Sequence, residues 1–232
     1  MRRLIYWYKP AVVDRSRHVI LSAVLAFLLI VPALYAADGP AQAKPAPGSS
    51  QGLSRKLAEE FQDKVTELSS PSPASGKSLD KVVITDNEIN SYLKYDPPPN
   101  MSPGVTDSEL HFKPDGIHGE ANVDFDRLQP PQQAGNDMGA KLLGVIFHGT
   151  QHVTALGKIN SSDGTAKLTL SDVHIGNTVL SDWLVNWLLQ SYIQSQYQID
   201  LTKPFMLPDH VTRIDFAPGQ AIFVRGEPNK RK

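Results

Sequence analysis

The run from Val105 to Asp126 (VTDSELHFKPDGIHGEANVDFD) is the clearest hairpin of this chain and constrains what it can fold into. Lys113-Pro114-Asp115-Gly116 is a turn with Pro and Gly in suitable places. Pairing Phe112 with Ile117 across it sorts the flanking residues by parity. Leu110, Phe112, Ile117, Ala121, Val123 and Phe125 share one face. Glu109, His111, His118, Glu120, Asn122 and Asp124 share the other. Such alternation marks an antiparallel sheet with one wet side and one side that another layer must cover.

A second hairpin, about Gln151–Asn160 and Thr165–Ile175, turns at Ser161-Ser162-Asp163-Gly164. In its second strand the apolar parity changes from Ala166, Leu168 and Leu170 to Val173 and Ile175. A β-bulge near Ser171-Asp172 accounts for the change and bends the sheet. Two closing strands, Val211–Phe216 and Ala221–Val224, turn at Ala217-Pro218-Gly219-Gln220. Upstream, Lys81–Ile84 reads as a short strand. Thr85-Asp86-Asn87-Glu88 then forms a capping box for a helix that buries Ile89, Tyr92 and Leu93. Pro97-Pro98-Pro99 ends that helix.

The covering layer is expected from Val179–Ile193 (VLSDWLVNWLLQSYI). At 100° per residue, Asp182, Asn186 and Gln190 make one polar stripe. Apolar residues, with Trp183 and Trp187 among them, cover about twice the arc of roughly 100° that a helix on one sheet face needs. A helix of this kind is covered on two sides, sits in a membrane, or faces an apolar ligand. The expected architecture is α+β: a curved antiparallel sheet wrapped on this long C-terminal helix, with the Trp183/Trp187 side toward the sheet.

Before the domain lies an export or anchor signal. Arg2, Arg3, Lys9, Arg15 and Arg17 face only Asp14, and Val19–Ala37 carries no charge. A signal peptide cleaved near Ala41-Gln42-Ala43 and an uncleaved anchor both fit; the length favours the anchor. Either puts the body outside the cytoplasm, at the periplasm or cell surface, with the membrane as partner through Val19–Ala37. The expected organisation is 1–43 as head and anchor, 44–79 as linker, 80–226 as the domain and 227–232 as a polar tail. The linker holds one short amphipathic helix at Ser54–Ser69, striped by Leu53, Leu57, Phe61, Val65 and Leu68.

Composition excludes several classes. Net charge is −1 and the body is mildly acidic, so there is no basic footprint for nucleic acid. The absence of cysteine removes disulfides, thiolate metal sites and a cysteine nucleophile. Gly48–Gly52 matches G-x-S-x-G inside a Pro/Ala/Gly linker, where the required strand and helix are absent, and is treated as chance. Ser78-Leu79-Asp80-Lys81 has none of its companion motifs. His148 and His152 lack the glutamate of a zinc-protease helix. No enzyme is expected, and no cofactor.

The wet hairpin face places His111 opposite His118 and Glu109 opposite Glu120. Like charges across a pair are unfavourable unless a cation or solvent relieves them. A solvated sheet face is the reading retained, with no metal in it.

The order of "ITDNEINSYL" (Ile84–Leu93), "PGVTDSELHFKPDGIHGEANVDF" (Pro103–Phe125), "LSDVHIGNTVLSDWLVNWLLQ" (Leu170–Gln190) and "VTRIDFAPGQAIFVRG" (Val211–Gly226) resembles LmeA-type and YpmS-like extracytoplasmic proteins. These are similar to one half of the tubular lipid-binding (BPI-like) superfamily. The resemblance rests on Asn90 in the first helix, the spacing of Gly104-Val105 and Asp115-Gly116-Ile117, and the Ile175-Gly176 step. It implies a groove between curved sheet and helix that takes a phospholipid or another acyl-chain lipid. The expected lining is Leu110, Phe112, Ile117, Val123 and Phe125 from the first hairpin, and Val173 and Ile175 from the second. Trp183, Leu184, Trp187 and Leu188 would add the helix, and Ile214 and Phe216 the closing strands. The alternative is a non-enzymatic envelope interaction module in which the same sheet is packed solid.

Overall fold

The computed structural model describes residues 52–69, 80–98, 101–127, 147–190, 203–208 and 210–226. Residues Val19–Ala37, Gln129–Gly139, 140–146, 191–193 and the stretch from 227 fall outside the described residues. Among the described residues no helix is long and apolar enough to cross a membrane.

Helix α1 is Arg55–Leu68, and the Ser54 hydroxyl accepts the Leu57 N–H at its start. Strand β1, Asp80–Thr85, runs straight into helix α2, Asp86–Tyr95. The capping box at that junction is complete: Thr85 Oγ1 accepts the Glu88 N–H and Glu88 Oε2 accepts the Thr85 N–H at 2.7 Å. The sequence groups α1 with the linker, yet its Ala58, Phe61 and Leu68 are buried in the main core. The Phe61 and Tyr92 rings lie 4.8 Å apart, and Lys64 pairs with the buried Glu88 of α2.

Strands β2 (Val105–Lys113), β3 (Gly116–Asp124), β4 (Thr150–Ser162) and β5 (Thr165–Ile175) form an antiparallel meander. Two short strands, β6 (Thr178–Val179) and β7 (Phe205–Met206), both pair with β5. The register places Phe112 against Ile117, His111 against His118 and Glu109 against Glu120, as the alternation requires. Strands β8 (Val211–Ala217) and β9 (Gln220–Arg225) pair with each other and then with β1, in the order β1-β9-β8.

This corrects the expected architecture. The chain is α+β with antiparallel sheets, but the described strands form two sheets, and their apolar faces cover each other. The Phe112 and Phe216 rings stand 6.1 Å apart across the gap. Ser161 of β4 bridges to β8, its hydroxyl accepting the Ile214 N–H at 2.7 Å and donating to the Ile214 carbonyl. The closing strands thus supply the cover that was assigned to a long helix. The described part of that helix, α3, is Asp182–Leu188.

Two bulges bend the larger sheet. On β5 the register slips between the pairs Thr154–His174 and Leu156–Ser171, and Asp172 takes a left-handed φ of 50°. This is the bulge that the parity change predicts. On β2 the slip lies between Thr106 and Glu109, with Asp107 at φ 51°. Aspartate tolerates this conformation better than most residues. The β4–β5 turn has Asp163 and Gly164 both at positive φ, as a two-residue hairpin turn requires. Gly116 is required for a second reason: a Cβ there would stand 2.3 Å from the Gly157 carbonyl oxygen of β4.

Candidate functional site

The expected apolar lining is brought together, mostly as core. Leu110, Phe112, Ile117, Val123, Val173, Ile175 and Leu184 are buried. Phe125, Trp187, Ile214 and Phe216 are partly buried and pack against the same cluster. The side chain of Leu188 falls outside the described residues. Between the sheets, Phe112, Ile117, Ile214, Phe216 and Phe223 enclose a void of only about 10 Å³. That is about the space one water needs, far too small for an acyl chain.

Trp183 departs from expectation. It is 50% exposed instead of facing the sheet. On the helical wheel it stands roughly 20° from Gln190, at the margin of the polar stripe. Asp182, Asn186 and Gln190 are exposed as expected, while Leu184, Val185 and Leu189 take the buried side. Val179, at the β6–α3 junction, is 63% exposed. An apolar rim therefore remains where α3 leaves β5, flanked by the buried Leu180 and Leu184.

The wet face of the meander carries the polar chemistry. A groove of about 310 Å³ crosses it, lined by His111, His118 and Glu120 with Thr154, Asp172 and His174. His111 Nε2 is 3.6 Å from Glu109 Oε2 and 4.0 Å from Glu120 Oε1. Its other nitrogen, Nδ1, is 3.4 Å from Asp86 Oδ2. Asp86 is itself fixed, since its Oδ1 accepts the Phe112 N–H at 2.8 Å. His152 Nε2 approaches Glu120 Oε2 to 3.5 Å. At the turn, the hydrogen bond from His118 holds the exposed Asp115 carboxyl below its ordinary range.

Sequence reading found Glu109, His111, His118 and Glu120 from parity alone. It missed Asp86, which appears there only as part of the helix cap. Its position beside His111 depends on how α2 docks on the edge of β2, a contact between segments that share no local pattern. It also missed His152 and His174 as members of this face, although the parity of β4 and the β5 bulge carry that information.

No protein-family model, curated protein or solved structure matches this chain.

Proposed function

We propose that this chain binds an apolar ligand outside the cytoplasm, an acyl-chain lipid such as a phospholipid, without enzymatic chemistry. The observation that carries the reading is the apolar rim of Val179 and Trp183, left half-exposed or more beside the buried Leu180 and Leu184. Large apolar side chains left in water at one edge of a filled core offer a surface to an apolar partner. Trp suits a boundary between hydrocarbon and water because its ring is apolar and its N–H is polar. Each CH₂ taken from water contributes about 0.8 kcal/mol, so part of one chain laid along this rim gives useful affinity with no polar partner.

In this reading the expected lining divides. Trp183, with Trp187 beside it, meets the ligand, and Leu184, Val173 and Ile175 back the rim from the core. Leu110, Phe112, Ile117, Val123, Ile214 and Phe216 hold the two sheets together and never touch lipid. The uncharged Val19–Ala37 would keep the rim close to a membrane. We propose kinship with LmeA-type proteins on the same ground.

A second reading, an envelope interaction module, is favoured by one observation: the gap between the sheets is filled. Tryptophan quenching separates the two. In a Trp7→Phe background, excited at the red edge where tyrosine does not absorb, the full chain keeps Trp183 and Trp187 as its emitters. Brominated phospholipid should quench their emission, and Trp183→Phe should remove most of that quenching. Emission indifferent to brominated lipid, with no lipid in an organic extract of the purified chain, selects the interaction module.

A further inference from the structure

We propose that Glu109, His111 and Glu120 form a divalent transition-metal site on the wet face of the larger sheet, with Zn²⁺ as the fitting ion and Asp86 as the residue that orients His111. The site lies on the face opposite the buried Leu110 and Phe112, so it stands independently of lipid binding. One ligand atom from each of the three residues lies within 4.8 Å of the other two. Zn²⁺ takes imidazole nitrogen and carboxylate oxygen at about 2.0–2.2 Å in a tetrahedron, which sets ligand atoms roughly 3.4 Å apart. The His111–Glu109 distance of 3.6 Å is already close to that value. The His111–Glu120 distance of 4.0 Å closes with a small rotation of either side chain.

Three features go beyond a chance cluster of surface charge. First, the ligands sit on rigid positions. Glu109 and His111 are two apart on β2, and Glu120 is the direct cross-strand partner of Glu109. Two carboxylates facing each other across a strand pair repel, and a shared dication converts the repulsion into attraction. Second, His111 has the outer partner that metal-binding histidines use. Asp86 Oδ2 stands 3.4 Å from Nδ1, which leaves Nε2 directed at Glu109 and Glu120. A carboxylate behind the imidazole fixes its tautomer and raises its basicity as a ligand. Asp86 is positioned for this by the Phe112 N–H. Third, two of the ligands, His111 and Glu120, line an open groove of about 310 Å³. A fourth position is thereby left for water or a small anion. The donor set is wrong for Ca²⁺, which asks for six to eight oxygens, and right for a borderline ion that accepts nitrogen.

The test uses the full chain in detergent, stripped with a chelator. Zn²⁺ is titrated calorimetrically, and Co²⁺ is followed by its visible absorption, which reports four- or five-coordinate geometry. One equivalent should bind, and both signals should be lost in His111→Gln and in Glu120→Gln. Asp86→Asn keeps the oxygen that accepts the Phe112 N–H and changes only the atom behind His111. It should weaken Zn²⁺ binding by about 10- to 100-fold while unfolding unchanged in metal-free buffer. His118→Gln, on the same face but bonded to Asp115, should bind as the parent does. Stoichiometric binding that survives His111→Gln, or that His118→Gln weakens equally, overturns the proposal. So does a parent chain that binds neither ion.

Discussion

Replacing Asn90 with alanine should cost about 3 kcal/mol of stability, although the side chain is small and touches no ligand. Strand β2 is an edge of the larger sheet, so the outward groups of Leu110 and Phe112 have no neighbouring strand. Helix α2 and the β8–β9 turn supply the missing partners. Asn90 Oδ1 accepts the Leu110 N–H and Asn90 Nδ2 donates to the Leu110 carbonyl, each at 2.8 Å. Asp86 Oδ1 accepts the Phe112 N–H, and the Gly219 N–H donates to the Phe112 carbonyl, again at 2.8 Å. Asn90 thereby imitates one residue of a strand. It is 8% exposed and Leu110 is fully buried, so truncation strands a donor and an acceptor away from water. Each such group costs about 1–3 kcal/mol, which gives about 2–6 kcal/mol for the pair.

The measurement is urea unfolding of the full chain, comparing Asn90→Ala with Asn87→Ala. Asn87 is exposed on the same helix and should change stability by less than about 0.5 kcal/mol. Asn90→Asp should be at least as damaging as Asn90→Ala, because it sets a second oxygen against the Leu110 carbonyl and buries charge. An Asn90→Ala loss below about 1 kcal/mol, or one equal to that of Asn87→Ala, would refute the strand-mimic argument.

Arg225 is 1% exposed, and its Nη1 lies 3.3 Å from both Glu67 of α1 and Asp80 of β1. Glu67→Gln with Asp80→Asn should cost about 3 kcal/mol or more in the same unfolding assay, whereas Arg225→Met should be close to neutral, since the two half-exposed carboxylates regain water. Asp115 should titrate below ordinary carboxylates in a ¹³C NMR titration, and His118→Ala should restore it, because the His118 hydrogen bond is the largest cause of the shift. A folded-state value below the unfolded one stabilises the hairpin above the ordinary carboxylate range. That contribution is lost as pH falls through Asp115's own value.

The parts of the fold that were legible in the sequence are local. The β2–β3 register follows from alternation around Pro114-Asp115-Gly116 and matches residue by residue near the turn. The capping box at Thr85–Glu88 follows from residue types at fixed spacing. The bulge at Asp172 follows from a parity change, because only an extra residue lets Leu170 and Val173 share a face. The bulge at Asp107 left no such trace, since the residues N-terminal to it are too few and too polar to show a parity. Illegible, too, was which apolar face covers which. The faces of β2 and β8 are equally apolar as text, and only the β1–β9 pairing, joining residues at opposite ends of the domain, sets them against each other. Trp183 was misplaced because a wide apolar arc does not reveal which part of it is covered.

The two bulges connect the fold to both proposed surfaces. Without an extra residue at Asp172, the parity of Ala166, Leu168 and Leu170 would carry His174 into the core and turn Val173 and Ile175 to water. With it, Val173 and Ile175 are buried and His174 lines the groove on the wet face. Asp107 does the same service on β2. The slip there sets Val105 inside with Leu110 and Phe112, and leaves Glu109 and His111 facing Glu120. Asn122 of β3 donates to Asp107 Oδ2 at 2.9 Å and so ties the bulge to the next strand. Each bulge also adds local twist, which curves the sheet around its covered side. The curvature closes the second sheet over Phe112 and leaves no room for a lipid there. Among the described residues, the margin at β6 and α3, where Trp183 stands in water, is the surface that the proposal assigns to an apolar ligand.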